Sequence, residues 1–193
     1  MSAAEALLPV EMPPSSAGAP LPHVFADEER LLIAYLANVP DPSFDGTNPG
    51  SVSPATGDQS VAILTAEPYL ALQFGPPNDE AISGHRLYGL GLQPYSAFEV
   101  FNSSWIASLE KANRVHPSHM PELFSDYRHF ILTFHDSTIE FVAQKFPNQP
   151  LQGCGLVRPD GSGAALTRRT VPTACAVVPA CRGRSRIASL STR

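Results

Sequence analysis

The first 150 residues of this 193-residue chain contain no cysteine, which excludes disulfides and thiolate chemistry from most of the protein. The three cysteines, Cys154, Cys175 and Cys181, follow later, and their spacing matches no zinc-binding signature. An odd cysteine count without a disulfide framework fits a reducing compartment. The chain also lacks a basic, apolar secretory signal and any apolar run near the ~20 residues of a membrane span. We therefore expect a soluble, cytoplasmic protein that does not enter a membrane.

Charge and composition change sharply after Pro150. The net charge is −5, but residues 151–193 are arginine-rich and carry a single acid, Asp160, whereas the preceding part is strongly acidic. Aromatic residues are absent after Phe146. We interpret residues 151–193 as a disordered basic tail and a candidate non-native reading, out of frame or unspliced. The acidity of the preceding domain argues against nucleic acid as a partner.

The part before this tail divides into a terminal segment and one domain. Residues 1–23 are rich in Ala, Pro and Ser and are predicted to be disordered, which leaves residues 24–150 as a single domain. Three acids at positions 27–29 precede the apolar run Leu31–Ala37. The acids suit the first turn of a helix, whereas the short run also suits a strand. Proline and glycine predict a long loop over residues 38–59.

The clearest structural pattern is a β-hairpin over residues 129–143. Apolar residues alternate along both arms, and Asp136 and Ser137 suit the turn because their side chains can bond nearby backbone N–H groups. With this turn, the apolar residues of both arms lie on the same side of a half-buried sheet. The expected cross-strand pairs are Phe134 with Ile139, Leu132 with Phe141 and Phe130 with Ala143.

Two further segments predict strands. Residues 61–74 are apolar and are interrupted by Pro68, which predicts a second hairpin with the proline at its turn. Residues 97–101 predict a short strand that leads into a polar segment.

One main helix is expected after that strand. Residues 102–104 supply an N-cap, and Trp105, Leu109 and Ala112 have the spacing of one buried helical face. Pro121 predicts the start of a short second helix. The resulting fold class is α+β: a small antiparallel sheet built from hairpins, with one main helix packed on it.

Several short segments of the domain form a specific set. They include Gly75–Ala81 and Gly84–Tyr88. The others are residues 98–100, 102–106, 115–119, 129–131 and 133–138. Over roughly residues 60–146, this set resembles a family of small uncharacterised bacterial proteins. The resemblance supports the domain boundary but implies no activity, cofactor or partner.

A loop between the predicted strands offers one candidate site. Asp79 and Glu80 precede His85, and loops on a rigid scaffold are common places for sites. These residues are candidates for an acid/base pair or a ligand site. The alternative is that Asn78 or Asp79 caps a short helical turn.

The turn of the main hairpin offers a second candidate site. Asp136 is placed to orient His135 as a general base, with Ser137 or Ser103 as nucleophile. The simpler interpretation, which we favour, is that Asp136 and Ser137 are turn residues bonding their own backbone. His129 is expected to have a packing or sheet-edge role.

A divalent metal is the candidate cofactor. His116 and His119 are three residues apart and could place two imidazoles on one ion. The alternative is that both lie in an exposed loop or interact with the C-terminal end of the main helix.

Two functions remain open at this point. The favoured one is a non-catalytic binding module for a protein or a small molecule. The alternative is a metal-assisted hydrolase that uses several of the histidines together with Asp79 or Asp136. Convergence of three or more of these side chains in one pocket favours the hydrolase, and dispersal favours the module. The histidines in question are His85, His116, His119 and His135.

Overall fold

The computed structural model describes residues 4–38 and 60–146. Within them, the strands are β1 (Ala6–Pro9), β2 (His23–Ala26), β3 (Leu31–Leu36), β4 (Val61–Gly75), β5 (Ala97–Phe101), β6 (Arg128–Thr133) and β7 (Thr138–Lys145). These seven strands form one antiparallel sheet in the order β1-β5-β6-β7-β4-β3-β2. The helices are α1 (Ser104–Asn113) and the 3₁₀ helices Ile82–Gly84, Tyr88–Leu90 and Pro121–Phe124. The α+β fold class is confirmed, as are the strand at residues 97–101 and the short helix at Pro121.

Strand β4 replaces the second predicted hairpin. Residues 61–66 pair with β3 and residues 67–75 pair with β7, so one continuous strand belongs to two parts of the sheet. Pro68 lies where the partner changes, a place where its missing N–H interrupts no continuous ladder. The prediction of a turn there is wrong because a proline in an apolar run fits such a partner change as well as it fits a turn. Strands that switch partners in this way let two parts of a sheet pack face to face.

Two apolar clusters result from this arrangement. The first joins β3 and β4 to the β6–β7 hairpin, and the rings of Tyr35 and Phe134 lie 5.2 Å apart within it. The second lies between the sheet and residues 82–92, and includes Leu87, Phe98 and Ile131. Both faces of β6 are therefore buried. Any polar side chain on this strand consequently needs an internal partner.

The β6–β7 hairpin has the predicted faces but a different register. Thr133 pairs with Thr138, and the loop spans residues 134–137, closed by a 2.8 Å bond from Phe134 N to Ser137 O. Leu132 consequently faces Ile139 instead of Phe141. The register differs from the predicted one by two residues. Such a shift leaves every side chain on its face, so the apolar pattern alone could not exclude it.

Residues 31–36 form a strand, which settles the choice between helix and strand. Burial alternates along β3, with Leu31, Ile33 and Tyr35 inward. The acids before it belong to the β2–β3 turn, where Asp27 Oδ1 accepts the N–H groups of Glu29 and Arg30 at 2.8 and 2.7 Å. This is the bonding that Asp provides at turns, so the acids do not begin a helix.

Residues 4–23, the described part of the predicted N-terminal tail, are ordered, so the expectation of disorder is wrong for them. Residues 6–9 form β1, which pairs with β5, and Tyr35 Oη donates to Pro13 O over 2.6 Å. Residues 6–9 are ordered because β5 supplies backbone partners that composition does not reveal. The predicted tail at residues 151–193 and nearly all of the predicted loop at 38–59 lie outside the described residues.

Helix α1 begins as predicted, with the Ser103 side chain as its N-cap. Trp105 and Leu109 are half-buried, but Ala112 is exposed, so the buried face is shorter than expected. The half-buried Ile106 lies on the packed side instead. None of the helices in the described segments has the length and apolarity needed to cross a membrane.

Candidate functional site

A serine, a histidine and a glutamate form a hydrogen-bonded chain behind the N-terminus of α1. Ser103 Oγ lies 2.8 Å from His129 Nδ1, and His129 Nε2 lies 2.9 Å from Glu140 Oε2. All three residues are buried, His129 completely so. The rings of Trp105 and His129 pack in a T-shaped arrangement, with the ring centroids 5.1 Å apart. The imidazole is thereby fixed in orientation as well as in hydrogen bonding.

Strand periodicity and register bring the histidine and the glutamate together. His129 pairs with Val142 across β6 and β7, so Glu140, two residues before Val142, lies diagonally opposite on the same face. Ser103 reaches this face because the chain turns sharply after β5. Asn102 takes a left-handed backbone conformation there, with φ of 53°.

Glu140 is the centre of a larger polar cluster. Its Oε1 lies 3.1 Å from His85 Nε2, and its Oε2 accepts a 3.0 Å bond from the Arg86 guanidinium. Burial acts to raise the pKa of Glu140, but the hydrogen bond and charge of His129 and the charge of Arg86 outweigh it. Together they hold the pKa at about 2. The carboxylate is therefore ionised at neutral pH.

The cluster continues to the N-terminus of α1. Arg86 also binds Glu5 over 2.9 Å, and Glu5 Oε1 accepts the Ser104 N–H at 2.8 Å. A carboxylate at this position is favoured by the helix dipole. Glu5 immediately precedes strand β1, so the start of this strand is bound to the same network that holds Glu140.

Ser103 also lines a pocket of about 580 Å³. Glu99 and Arg128 form a bidentate ion pair in the wall of this pocket, one contact of which spans 2.7 Å. Phe101 lines it too and is 45% exposed. The remaining lining residues are Val100, Asn102, Ile106, Ala107, Glu110, Pro121, Phe124, Ser125 and Tyr127. The pocket therefore offers both apolar surface and hydrogen-bonding groups next to the serine.

A second histidine–carboxylate cluster lies at the β6–β7 loop. Asp79 Oδ2, Tyr95 Oη and His135 Nδ1 lie within 2.8 Å of one another. The hydrogen bond to Asp79 raises the pKa of His135, and the same bond lowers the pKa of Asp79. Burial and the bond to Asp79 raise the pKa of Tyr95 to about 12.

The predicted pairings among these residues are partly exchanged. Asp79 binds His135 instead of His85, whose carboxylate partner is Glu140. Asp136 Oδ1 lies 4.0 Å from His135 Nε2 and its side chain is 80% exposed, so Asp79 is the residue that orients His135. Ser103, one of the two predicted nucleophiles, faces His129 instead of His135. The other, Ser137, accepts the Phe134 N–H with its backbone carbonyl, as a turn residue does. Glu80 is exposed.

The predicted metal pair has other partners. His119 bonds Asn113 Oδ1 and Glu110 Oε1, each over 2.9 Å, and His116 Nδ1 accepts the Ser118 N–H. Both histidines thus lie at the C-terminal end of α1, in agreement with the alternative interpretation. Residues 4–38 and 60–146 contain no group of three or more His, Cys, Asp or Glu side chains placed to hold a metal ion. The residues named for a metal-assisted hydrolase do not meet in one place.

Sequence reasoning missed the role of His129 and did not connect it with Glu140. A signal was available in the alternation of β6, because His129 lies on the face opposite Phe130 and Leu132. A histidine on the face opposite the main apolar residues indicates a buried site only when another segment is known to pack on that face. The covering segment, residues 82–92, showed no apolar period that predicts packing.

Comparison of the chain with models of protein families, with curated proteins and with solved structures gives no match. Nothing in these comparisons bears on the resemblance over residues 60–146, which stays a prediction. The class that the structure defines is an antiparallel α+β domain with a buried Ser-His-Glu chain beside a pocket.

Proposed function

We propose that this protein is a small-molecule binding module whose ligand lies in the pocket beside Ser103. Support comes first from the size of the pocket. At about 580 Å³ it falls within the roughly 300–1,000 Å³ that small-molecule sites occupy. The cysteine content, which favours a reducing compartment, leads us to expect a cytoplasmic ligand.

The lining of the pocket indicates the chemistry of the ligand. Glu99 and Arg128 neutralise one another, so a strongly charged ligand has no unbalanced partner in this pair. Ile106 and Phe124 offer apolar surface, and Ser103 offers a hydroxyl. The expected ligand is an uncharged molecule with an apolar body and at least one hydrogen-bonding group.

Filling the pocket tests this function. Ala107 lines the pocket from α1, so A107W should occupy the volume and abolish binding. The matched control is A112W, a change of the same kind at an exposed position of the same helix that does not line the pocket. Binding is measured by saturation-transfer NMR with a library of uncharged fragments on the full chain. Fragments that bind wild type and A112W but not A107W support the proposal. Binding that survives A107W, or that A112W reduces equally, contradicts it.

A further inference from the structure

We propose that Ser103 is a nucleophile and that the pocket hydrolyses an uncharged ester, an inference that rests on the proposed ligand pocket. The observation that carries it is the position of the Ser103 hydroxyl. Ser103 lines the pocket, and its hydroxyl lies at the end of a buried histidine–carboxylate chain. A serine hydroxyl is a weak nucleophile until an adjacent base takes its proton.

One protonation state satisfies the whole chain. If Nε2 of His129 carries the proton, it donates to Glu140 Oε2 at 2.9 Å, and Nδ1 is left to accept from Ser103 Oγ at 2.8 Å. Glu140 then stabilises the imidazolium that forms when the serine loses its proton. The roles match those of a serine-hydrolase triad, with the two ring nitrogens exchanged relative to the arrangement in which Nε2 faces the serine.

The reaction balances with water as the co-reactant. Ser103 Oγ bonds the ester carbonyl carbon while its proton passes to His129 Nδ1. The adduct then breaks its bond to the alcohol oxygen, which takes that proton and leaves. Water repeats both steps on the acyl-serine, releasing a carboxylic acid and restoring the hydroxyl. The N-terminus of α1, which begins directly after Ser103, favours the negative charge that develops beside it.

A purely structural role for Ser103, as the N-cap of α1, does not require the hydrogen bond between its hydroxyl and His129. Capping α1 needs only the bond from the Ile106 N–H to Ser103 Oγ, which is 3.2 Å long. Ser125 shows the contrast, because it lines the same pocket and its hydroxyl donates to the backbone carbonyl of Glu122. Ser125 therefore serves as the comparison serine within the wild-type chain, because it lines the same pocket without a histidine partner for its hydroxyl.

The test uses an alkyl fluorophosphonate, which bonds an activated serine oxygen through phosphorus and releases fluoride. The full chain is incubated with this probe, and the adduct is located by peptide mass spectrometry. We expect one adduct, on Ser103, and no adduct in S103A. The rate should be unchanged in S108A, because Ser108 is an exposed serine of α1 that does not line the pocket. E140Q should slow labelling by about 100-fold or more, since general-base contributions are of roughly 10²–10⁴-fold. Circular dichroism verifies that each variant is folded.

A second measurement is independent of the variants. The wild-type chain is mixed with p-nitrophenyl butyrate, and the acyl adduct is trapped in acid and mapped. A butyryl group on Ser103 supports the inference. An unlabelled Ser103 in folded wild-type protein, or labelling that is equal at Ser125, overturns it. Fragment binding without any Ser103 adduct overturns the nucleophile and leaves the binding pocket. Labelling of Ser103 without fragment binding supports the nucleophile and contradicts the proposed binding of an uncharged ligand.

Discussion

The two histidine–carboxylate clusters of this domain differ in burial and in how completely their carboxylates are bonded. Both oxygens of Glu140 accept bonds, from His85, His129 and Arg86. Asp79 receives its side-chain partners on Oδ2, whereas its Oδ1 is buried without a hydrogen-bond partner in the described part of the chain. The His135 side chain of this second cluster is 39% exposed. A buried carboxylate with a full set of donors is a fixed part of the fold, and a partly bonded one at a loop is more easily altered.

The largest effect should come from removing the buried carboxylate. E140A leaves the donors of His85 and His129 without an acceptor, and breaking a buried pair in this way costs about 3–5 kcal/mol. The free energy of unfolding is measured in urea through the fluorescence of the single tryptophan, Trp105, which packs on His129. D79A is the control and should cost clearly less. An equal loss in the free energy of unfolding of E140A and D79A would contradict the inferred difference between the two clusters.

Acid should destabilise the protein through Glu140. Its folded-state pKa of about 2 lies below the ordinary value of 4.5, so the stabilisation is present above pH 4.5 and is lost as pH falls toward 2. The shift corresponds to about 3 kcal/mol. Unfolding in urea is measured across this range for wild type and E140Q. The difference between the two proteins should shrink as pH falls, and a constant difference would contradict the assignment.

Removing the helix cap should have a smaller effect. S103A deletes the acceptor of the Ile106 N–H and one partner of His129, and the loss of an N-cap costs about 1 kcal/mol. S125A should change the free energy of unfolding by less than about 0.5 kcal/mol, as surface substitutions usually do. Thermal unfolding of both variants measures the difference. A loss in S103A no larger than in S125A would mean that the hydroxyl contributes nothing to the helix end.

The smallest effect concerns the titration of His135. Its folded-state pKa is raised above 6.5 by Asp79, so the associated stabilisation is present below pH 6.5 and is lost as pH rises through the folded value. Proton NMR should give a raised pKa for His135 in wild type and a value near the ordinary one in D79N. In D136N the pKa should stay raised, because Asp136 is 4.0 Å away and exposed. A return to the ordinary value in D136N instead would assign the orienting role to Asp136.

Much of the fold could be predicted from local patterns. The β6–β7 hairpin, the strand at residues 97–101 and the cap at Ser103 each follow from a few adjacent residues. The site could be predicted only in part. Ser103, His85 and Asp79 were identified as candidates, but their partners lie up to 56 residues away along the chain. Sequence proximity suggested Asp79 with His85 and Asp136 with His135, and the fold brought different residues together.

The sequence by itself determined which face of each hairpin strand is apolar, because side chains alternate with a period of two. It also determined where α1 begins, because a serine hydroxyl satisfies a free N–H of the first turn. Tertiary structure decided the register of the hairpin, the change of partner along β4 and the pairing of each histidine. These depend on contacts between distant segments, and a shift of two residues or a change of partner leaves the local pattern unaltered.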